Sequence, residues 1–417
     1  MFELVKEISR PLPVPMVRGD GARVLQLSMR RVADLVASCT IYELEDTVAS
    51  LVPTDRIEPQ ELAVQDFLRK IYKLGRMVTG SPSLARKLTP RGPRVRLDRD
   101  YDLFLPVFNH AYELFALDVV PEWRERCRWA ACFISEMWEG QIPEYLVERL
   151  SQFDHVYLGV VQPVEAIARI TGRPCSYLPL GVDAFLFAPE PDAARPIDVC
   201  GIGRRSEVTH RALLEMARRR HLFYYFDTAR AGRGVANAAR QITFSVVDPA
   251  QHRFLYATLL KNSRYFMASR ARANEPEVTG GRQEIAARFF EGAAAGTVMI
   301  GDPPRNALFG SYFDWPDAVI EVPFDSPDIA DVIESLDADP ERVARIRRDA
   351  VAGTLRRNDW VYRLQTVVRA AGILPTQAMT ERIKKLRALA DGIAGRAPAA
   401  PARARGEART ASRERTP

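Results

Sequence analysis

The sequence predicts two doubly wound, Rossmann-like α/β domains facing a cleft, followed by a disordered basic tail. Three observations predict it. The chain has 417 residues, too many for one ordinary core of about 100–200 residues and suited to two. Apolar strand-like runs alternate with helical runs along most of its length, the order that builds parallel sheets. A segment rich in proline and glycine, residues 178–196, lies between the halves and reads as a hinge.

In the first half, residues 23–29 (RVLQLSM) read as a short buried strand and 34–52 as a helix. Residues 101–108 (YDLFLPVF) read as a strand, with Asn109, His110 and a helical run behind it. Strands follow at 128–134 and 154–161, and a helix at 164–171. In the second half, strands at 197–203 (IDVCGIG), 222–226, 242–247, 265–268, 297–300 and 318–322 alternate with helices at 208–219, 253–260 and 284–295. This order gives an N-terminal domain over 1–180 and a C-terminal domain over 181–375. A helix at 376–394 is placed to cross back to the N-terminal domain. Residues 395–417 are rich in Ala, Arg and Pro and lack large apolar side chains, so they bury too little surface to offset chain entropy.

Hydrophobic residues make up 47% of the chain and charged residues 27%, the balance of a globular protein. No stretch approaches the roughly 20 apolar residues of a membrane span. Residues 1–19 lack the apolar segment of a signal peptide, so a cytoplasmic location is expected. Cys39, Cys127, Cys132, Cys175 and Cys200 are scattered without metal-ligand spacing and read as reduced thiols. The net charge of +6 owes much to Arg396, Arg403, Arg405, Arg409, Arg413 and Arg415 of the tail, so no nucleic-acid partner is expected. A mildly basic surface suits an anionic nucleotide or a peripheral contact at the inner membrane face. No D-x-D follows a strand, and no metal is expected.

Two segments carry chemistry. In residues 279–302 (TGGRQEIAARFFEGAAAGTVMIGD), Gly280, Gly281 and Arg282 precede a helix, where free N–H groups and the helix dipole attract phosphate. Glu284 and Glu291 stand about two helical turns apart, on one face. Glu291 is flanked at helical spacing by Ala287, Ala294, Ala295 and Arg288. It reads either as an acceptor for ribose hydroxyls or as part of a surface set in which Arg288 pairs with Glu291 or Glu284. The second segment is Gly201-Ile202-Gly203-Arg204-Arg205, directly after a strand. Its glycines admit a ligand close to the backbone and its arginines can neutralise a pyrophosphate, unless they are solvated side chains of a strand-end turn. With Asp227 after the next strand, the same residues approximate a dinucleotide fingerprint, although Ser206 stands at the third glycine. On the N-terminal side, His110 reads as a base or hydroxyl ligand, or as a cap neighbour. Glu136, Trp138 and Glu139 read as acceptor-side residues, with Trp138 able to stack on a sugar face, or as an acidic helix start.

The 279–302 segment resembles the donor-site helix of GT-B glycosyltransferases: glutamate, about seven residues, glutamate, a small-residue run and glycine leading into a strand. Residues 178–189 (LPLGVDAFLFAP) resemble the interdomain segment of that family, and 358–369 (NDWVYRLQTVVR) its closing helix. The resemblance covers about residues 154–373. The form RFFEGAAAG looks most like the subgroup of spore-coat maturation and polysaccharide-cluster enzymes. It implies that Glu291 holds the donor ribose. It also implies that Gly280, Gly281, Arg282 and Glu284 meet the donor sugar and phosphates, with Gln283 at the family's first glutamate position. Gly203 and Arg204 or Arg205 would steady the departing diphosphate, with His210 and Arg211 near the place of a family lysine. Glu136 and Trp138 fall on the acceptor side, and His110 is the catalytic candidate. The activity implied is a metal- and cofactor-independent, retaining, hexosyl-type transfer in bacterial polysaccharide or glycoconjugate synthesis. Its donor would be a nucleoside-diphosphate sugar and its acceptor a glycan, lipid-linked or small-molecule hydroxyl. Two other readings stand beside it: an NAD(P)-dependent oxidoreductase, and a GT-B chain without catalysis that acts as a scaffold partner.

Overall fold

The computed structural model describes residues 15–33, 35–59, 77, 78, 80, 94–138, 142–191, 193–227 and 246–395. Glu139, most of the strand expected at 242–247 and all but the first residue of the tail lie outside them.

The N-terminal domain is built on β1 (Met16–Val17), β2 (Val24–Leu27), β3 (Thr54–Ile57), β4 (Tyr101–Phe104), β5 (Val107–His110), β6 (Cys127–Glu136), β7 (His155–Leu158) and β8 (Cys175–Tyr177). Their order is β1-β3-β2-β4-β6-β7-β8, with β5 also on β6. All pairs are parallel except β1 with β3. Between the strands run α1 (Cys39–Leu51), α2 (Glu144–Leu150) and α3 (Val164–Thr171). The strand expected at 101–108 is split at Leu105 and Pro106. Proline has no N–H to give the ladder, so pairing to β2 stops at Phe104. Both pieces nevertheless keep one register on β6, with Tyr101 opposite Cys127 and His110 opposite Glu136. β3, whose sequence TDRI carries no strand signal, was not anticipated.

The C-terminal domain holds β9 (Ile197–Gly201), α4 (Glu207–Arg220), β10 (Tyr224–Phe226), α5 (Pro249–Lys261), β11 (Ser263–Met267), α6 (Pro276–Thr279), α7 (Ala287–Ala294), β12 (Val298–Gly301) and β13 (Ile320–Glu321). The sheet is wholly parallel in the order β10-β9-β11-β12-β13. Ile197, Val199 and Cys200 of β9 are buried, as a strand covered on both faces requires. Ser206 caps α4, accepting from Val208 and Thr209 N–H. The two sheets together form the two-domain α/β fold expected.

The chain then adds α8 (Ile329–Asp337), α9 (Pro340–Arg357), α10 (Trp360–Ala370) and α11 (Gln377–Ala394). Val351, Ala352 and Leu355 of α9 already lie in the core of the first domain. Trp360, Val361, Leu364, Val367 and Val368 join the core of the first domain with Met379, Leu386 and Ala390. The turn is held at the hinge, where Arg363 donates to Leu180 O and Arg357 O and Asp359 accepts from Ala184 N–H. All five cysteines are free.

Glu45, on α1, is fully buried. Its Oε2 accepts from Ser28 Oγ at 2.6 Å and Arg30 Nη2 at 3.0 Å, while its Oε1 has no hydrogen-bond partner. Burial lifts the carboxyl from an ordinary 4.5 to about 7, against the Arg30 charge. A folded-state value above the unfolded one gives stability that is complete below pH 4.5 and lost as pH rises through about 7. Urea unfolding at pH 5 and pH 8 should therefore show about 3 kcal/mol of pH-dependent loss from this group, absent in Glu45→Gln.

Candidate functional site

In the C-terminal sheet, β10 lies on one side of β9 and β11 on the other, so the strand order reverses at the C-terminal end of β9. Ligands of open α/β sheets bind at such a point. The Gly201–Arg205 turn lies there. A small cavity is lined by Ile202, Arg204, Arg205, Thr209, Ser269 and Arg288, among others. At about 30 Å3 it has room for a water or two. Gly203 has φ of +82°, and a Cβ there would sit 2.8 Å from Arg288 Nη2. Glycine thus lets the turn close over the arginine. Arg288 Nη1 donates to Arg204 O at 3.3 Å. Burial, together with Arg272 and Arg288, pulls the Arg204 guanidinium below its ordinary value against Glu275. Such a cluster gains from an anion.

His210 also lines this cavity, its Nδ1 3.0 Å from Tyr224 Oη, and burial lowers its pKa. Asp227 is engaged by the turn itself: its Oδ2 accepts from Gly203 N–H at 2.8 Å, and its carbonyl accepts from Arg205. That arrangement leaves the acid spanning the turn, where a dinucleotide ribose would need its carboxylate.

The 279–302 segment differs from its expected form. α7 begins at Ala287, so Glu284 precedes the helix and does not share a face with Glu291. Glu284 lies in the irregular stretch before the helix, where its carbonyl accepts from Ala271 N–H. Its two oxygens accept from Val161 N–H, each at 3.0 Å, and from Gln162 N–H at 3.2 Å. It thus ties this segment to the N-terminal domain. Burial lifts its carboxyl above the ordinary range against those N–H groups. Gly280 and Gly281 do not open α7 either. They close α6 with φ of +58° and +78°, and both N–H groups bond back to Pro276 O. Arg282 donates to Trp138 O across the cleft.

Glu291 is on α7 but not on an open surface. It is 4% exposed, and its Oε1 accepts from Arg253 Nη1 at 2.5 Å and from Thr40 Oγ1 at 3.3 Å. Arg253, on α5, also donates from Nε to Glu43 Oε2 at 2.7 Å. The other oxygen of Glu43 accepts from Trp360 Nε1 and Asp183 N–H. Arg288, its expected surface partner, points instead to the Arg204 turn.

On the N-terminal side, β5 and β6 set His110 beside Glu136. A cavity of about 170 Å3 is lined by these two with Tyr112, Trp138, Ile142, Leu146, Arg272 and Val278. His110 is exposed to it, and Glu136 ends strand β6 rather than following it. Glu136 Oε2 accepts from Arg272 Nη2 at 2.8 Å. Burial pushes its carboxyl up, but the Arg272 hydrogen bond and charge outweigh this and hold it below the ordinary range. Trp138 is only 7% exposed and the Arg272 guanidinium lies 5.6 Å from its ring centroid, so that indole face holds a cation rather than a free sugar platform.

The sequence does not single out Arg253, Arg272 or Glu275, and it offers Arg288 only as a surface partner of the glutamates. Apart from the Arg272–Glu275 pair, their partners lie far away in the chain, and the arginines stand where a helix or loop borders an apolar run. Among the described residues no group of three or more His, Cys, Asp or Glu side chains could hold a metal ion, and no helix is long and apolar enough to cross a membrane.

Residues 207–369 match a protein family described as glycosyl transferase-like. Among solved structures, the chain is similar to HepE of Anabaena in complex with UDP-glucose. The identity is 12% over 84% of this chain and 99% of that one, with a TM-score of 0.47. An α,α-trehalose-phosphate synthase (UDP-forming) from Burkholderia vietnamiensis is similar at 12% identity, also over 84% of this chain and 99% of that one, with a TM-score of 0.47. No curated protein matches the sequence.

Proposed function

We propose that the protein transfers a sugar from a nucleoside-diphosphate sugar to a hydroxyl acceptor without a metal. The observation that carries this reading is the arginine-lined cavity at the switch point of the C-terminal sheet. It borders a segment, residues 207–369, that is glycosyl transferase-like in sequence. In the reaction the bond from the anomeric carbon to the diphosphate breaks and a bond to the acceptor oxygen forms. Arg204, Arg205 and Arg288 stabilise the charge that grows on the departing diphosphate. The acceptor lies in the cavity of His110 and Glu136, and His110 takes the acceptor proton. Glu291 holds the ribose once Arg253 yields its Nη1 contact and rests on Glu43 alone.

A thermal-shift series with UDP, GDP, ADP, dTDP, CMP and NAD(P)H tests the reading. One nucleoside diphosphate should raise the midpoint in proportion to ln(1 + [L]/Kd), and Glu291→Ala should lose that response. The matching nucleotide sugar should then turn over at the same rate with and without EDTA. Stabilisation by NAD(P)H alone would overturn the transferase reading.

A second reading has its own support: a two-domain scaffold that does not catalyse. Both glutamates of the donor motif are committed to other groups, Glu291 to Arg253 and Glu284 to backbone of the N-terminal domain. It predicts nucleotide binding without turnover, or no binding.

A further inference from the structure

The donor and acceptor cavities are joined by a chain of four charged side chains. Arg204 Nη2 lies 3.3 Å from Glu275 Oε1, and Arg272 Nη1 lies 3.0 Å from Glu275 Oε2. Arg272 Nη2 reaches Glu136 Oε2 at 2.8 Å. The chain runs from the diphosphate turn of one domain to the acceptor cavity of the other. Its centre is strained and incompletely satisfied. Arg272 has φ of +51°, a conformation that non-glycine residues seldom adopt, and its Nε is buried without a hydrogen-bond partner. Glu275 precedes α6, yet its carboxylate does not cap that helix. Its two oxygens serve two arginines instead.

The cavity lined by Arg204 is where the proposed reaction seats the diphosphate. The pair that stands on Arg204 is the one with Glu275, and a carboxylate there offers the guanidinium what a phosphate oxygen would. We propose that Glu275 is a built-in competitor for the donor diphosphate: phosphate displaces it from Arg204 and thereby changes the hold of Glu275 on Arg272, which lines the acceptor cavity. Donor binding would then come first and set Arg272 for the acceptor. This rests on the reading of the Arg204 cavity as the diphosphate site, and the experiment separates the two.

Inorganic pyrophosphate is titrated calorimetrically into the full chain and its Glu275→Gln and Arg204→Ala variants. Glu275→Gln keeps the shape of the side chain and removes its charge. It should bind pyrophosphate about two- to fivefold more tightly than the wild type, as expected for losing one partly exposed ion pair. Equal binding by wild type and Glu275→Gln, with loss in Arg204→Ala, overturns the competitor and leaves the diphosphate site standing. No binding by wild type and Glu275→Gln, or undiminished binding by Arg204→Ala, overturns the site and the competitor together. Trp138 under Arg272 supplies the second readout. Pyrophosphate should shift tryptophan emission in the wild type and not in Trp138→Phe. An equal shift in both, or none in the wild type, overturns the link to the acceptor cavity.

Discussion

Arg253→Met should cost the folded protein about 3–5 kcal/mol, the loss that follows when one partner of a buried ion cluster is removed. The arginine is 3% exposed and its guanidinium stands between Glu43 of α1 and Glu291 of α7. Its plane also faces Phe187, with 4.7 Å to the ring centroid. Methionine restores much of the volume but none of the charge, so two buried carboxylates lose their cation. Because Glu43 and Arg253 belong to different domains, the loss falls on the interface between them. Chemical denaturation of the wild type and the variant measures it. Adding Glu43→Gln and Glu291→Gln to Arg253→Met should recover much of the stability, since the uncompensated charges are then gone. An unchanged midpoint in Arg253→Met would mean that the interface is held by its apolar contacts alone.

Arg204→Ala should lower turnover about 100- to 1,000-fold, the range found when one preorganised donor to a developing anion is removed. The assay is release of nucleoside diphosphate from the sugar donor that matches the stabilising nucleotide. Arg204 sits at the switch point with Arg205 and Arg288, and Glu275 is the carboxylate paired with it. Its effect should fall on kcat more than on KM if the charge it meets grows during bond cleavage. A loss confined to KM would make Arg204 a ground-state contact. An unaltered rate would place the diphosphate elsewhere.

How far the sequence could be read depended on the range of the interactions involved. Val164–Thr171 and the strand at Val24–Leu27 follow from local periodicity, and the structure has both. The same holds for the parallel order of the second half and for the glycine–arginine turn after β9. Each depends on neighbours within a few residues. Glu284 shows where this stops. Its segment has helical composition, but the carboxylate finds three backbone N–H contacts on the N-terminal domain, and α7 starts three residues later. A tertiary partner outweighed a weak local preference.

By itself, then, the sequence determined a two-domain α/β chain of parallel sheets with a glycine–arginine turn after β9. These are written in apolar runs, glycines and proline positions, whose effects are local. Only the tertiary structure decided what the charged side chains do. It turned Glu291 toward Arg253 and Glu284 toward Val161, covered Trp138 with Arg272, and set Glu275 on Arg204. It also packed α9, α10 and α11 onto the core of the first domain. A buried charge must find its partner wherever the fold brings one, and Glu43 and Arg253, 210 positions apart, carry no sign of each other in the chain.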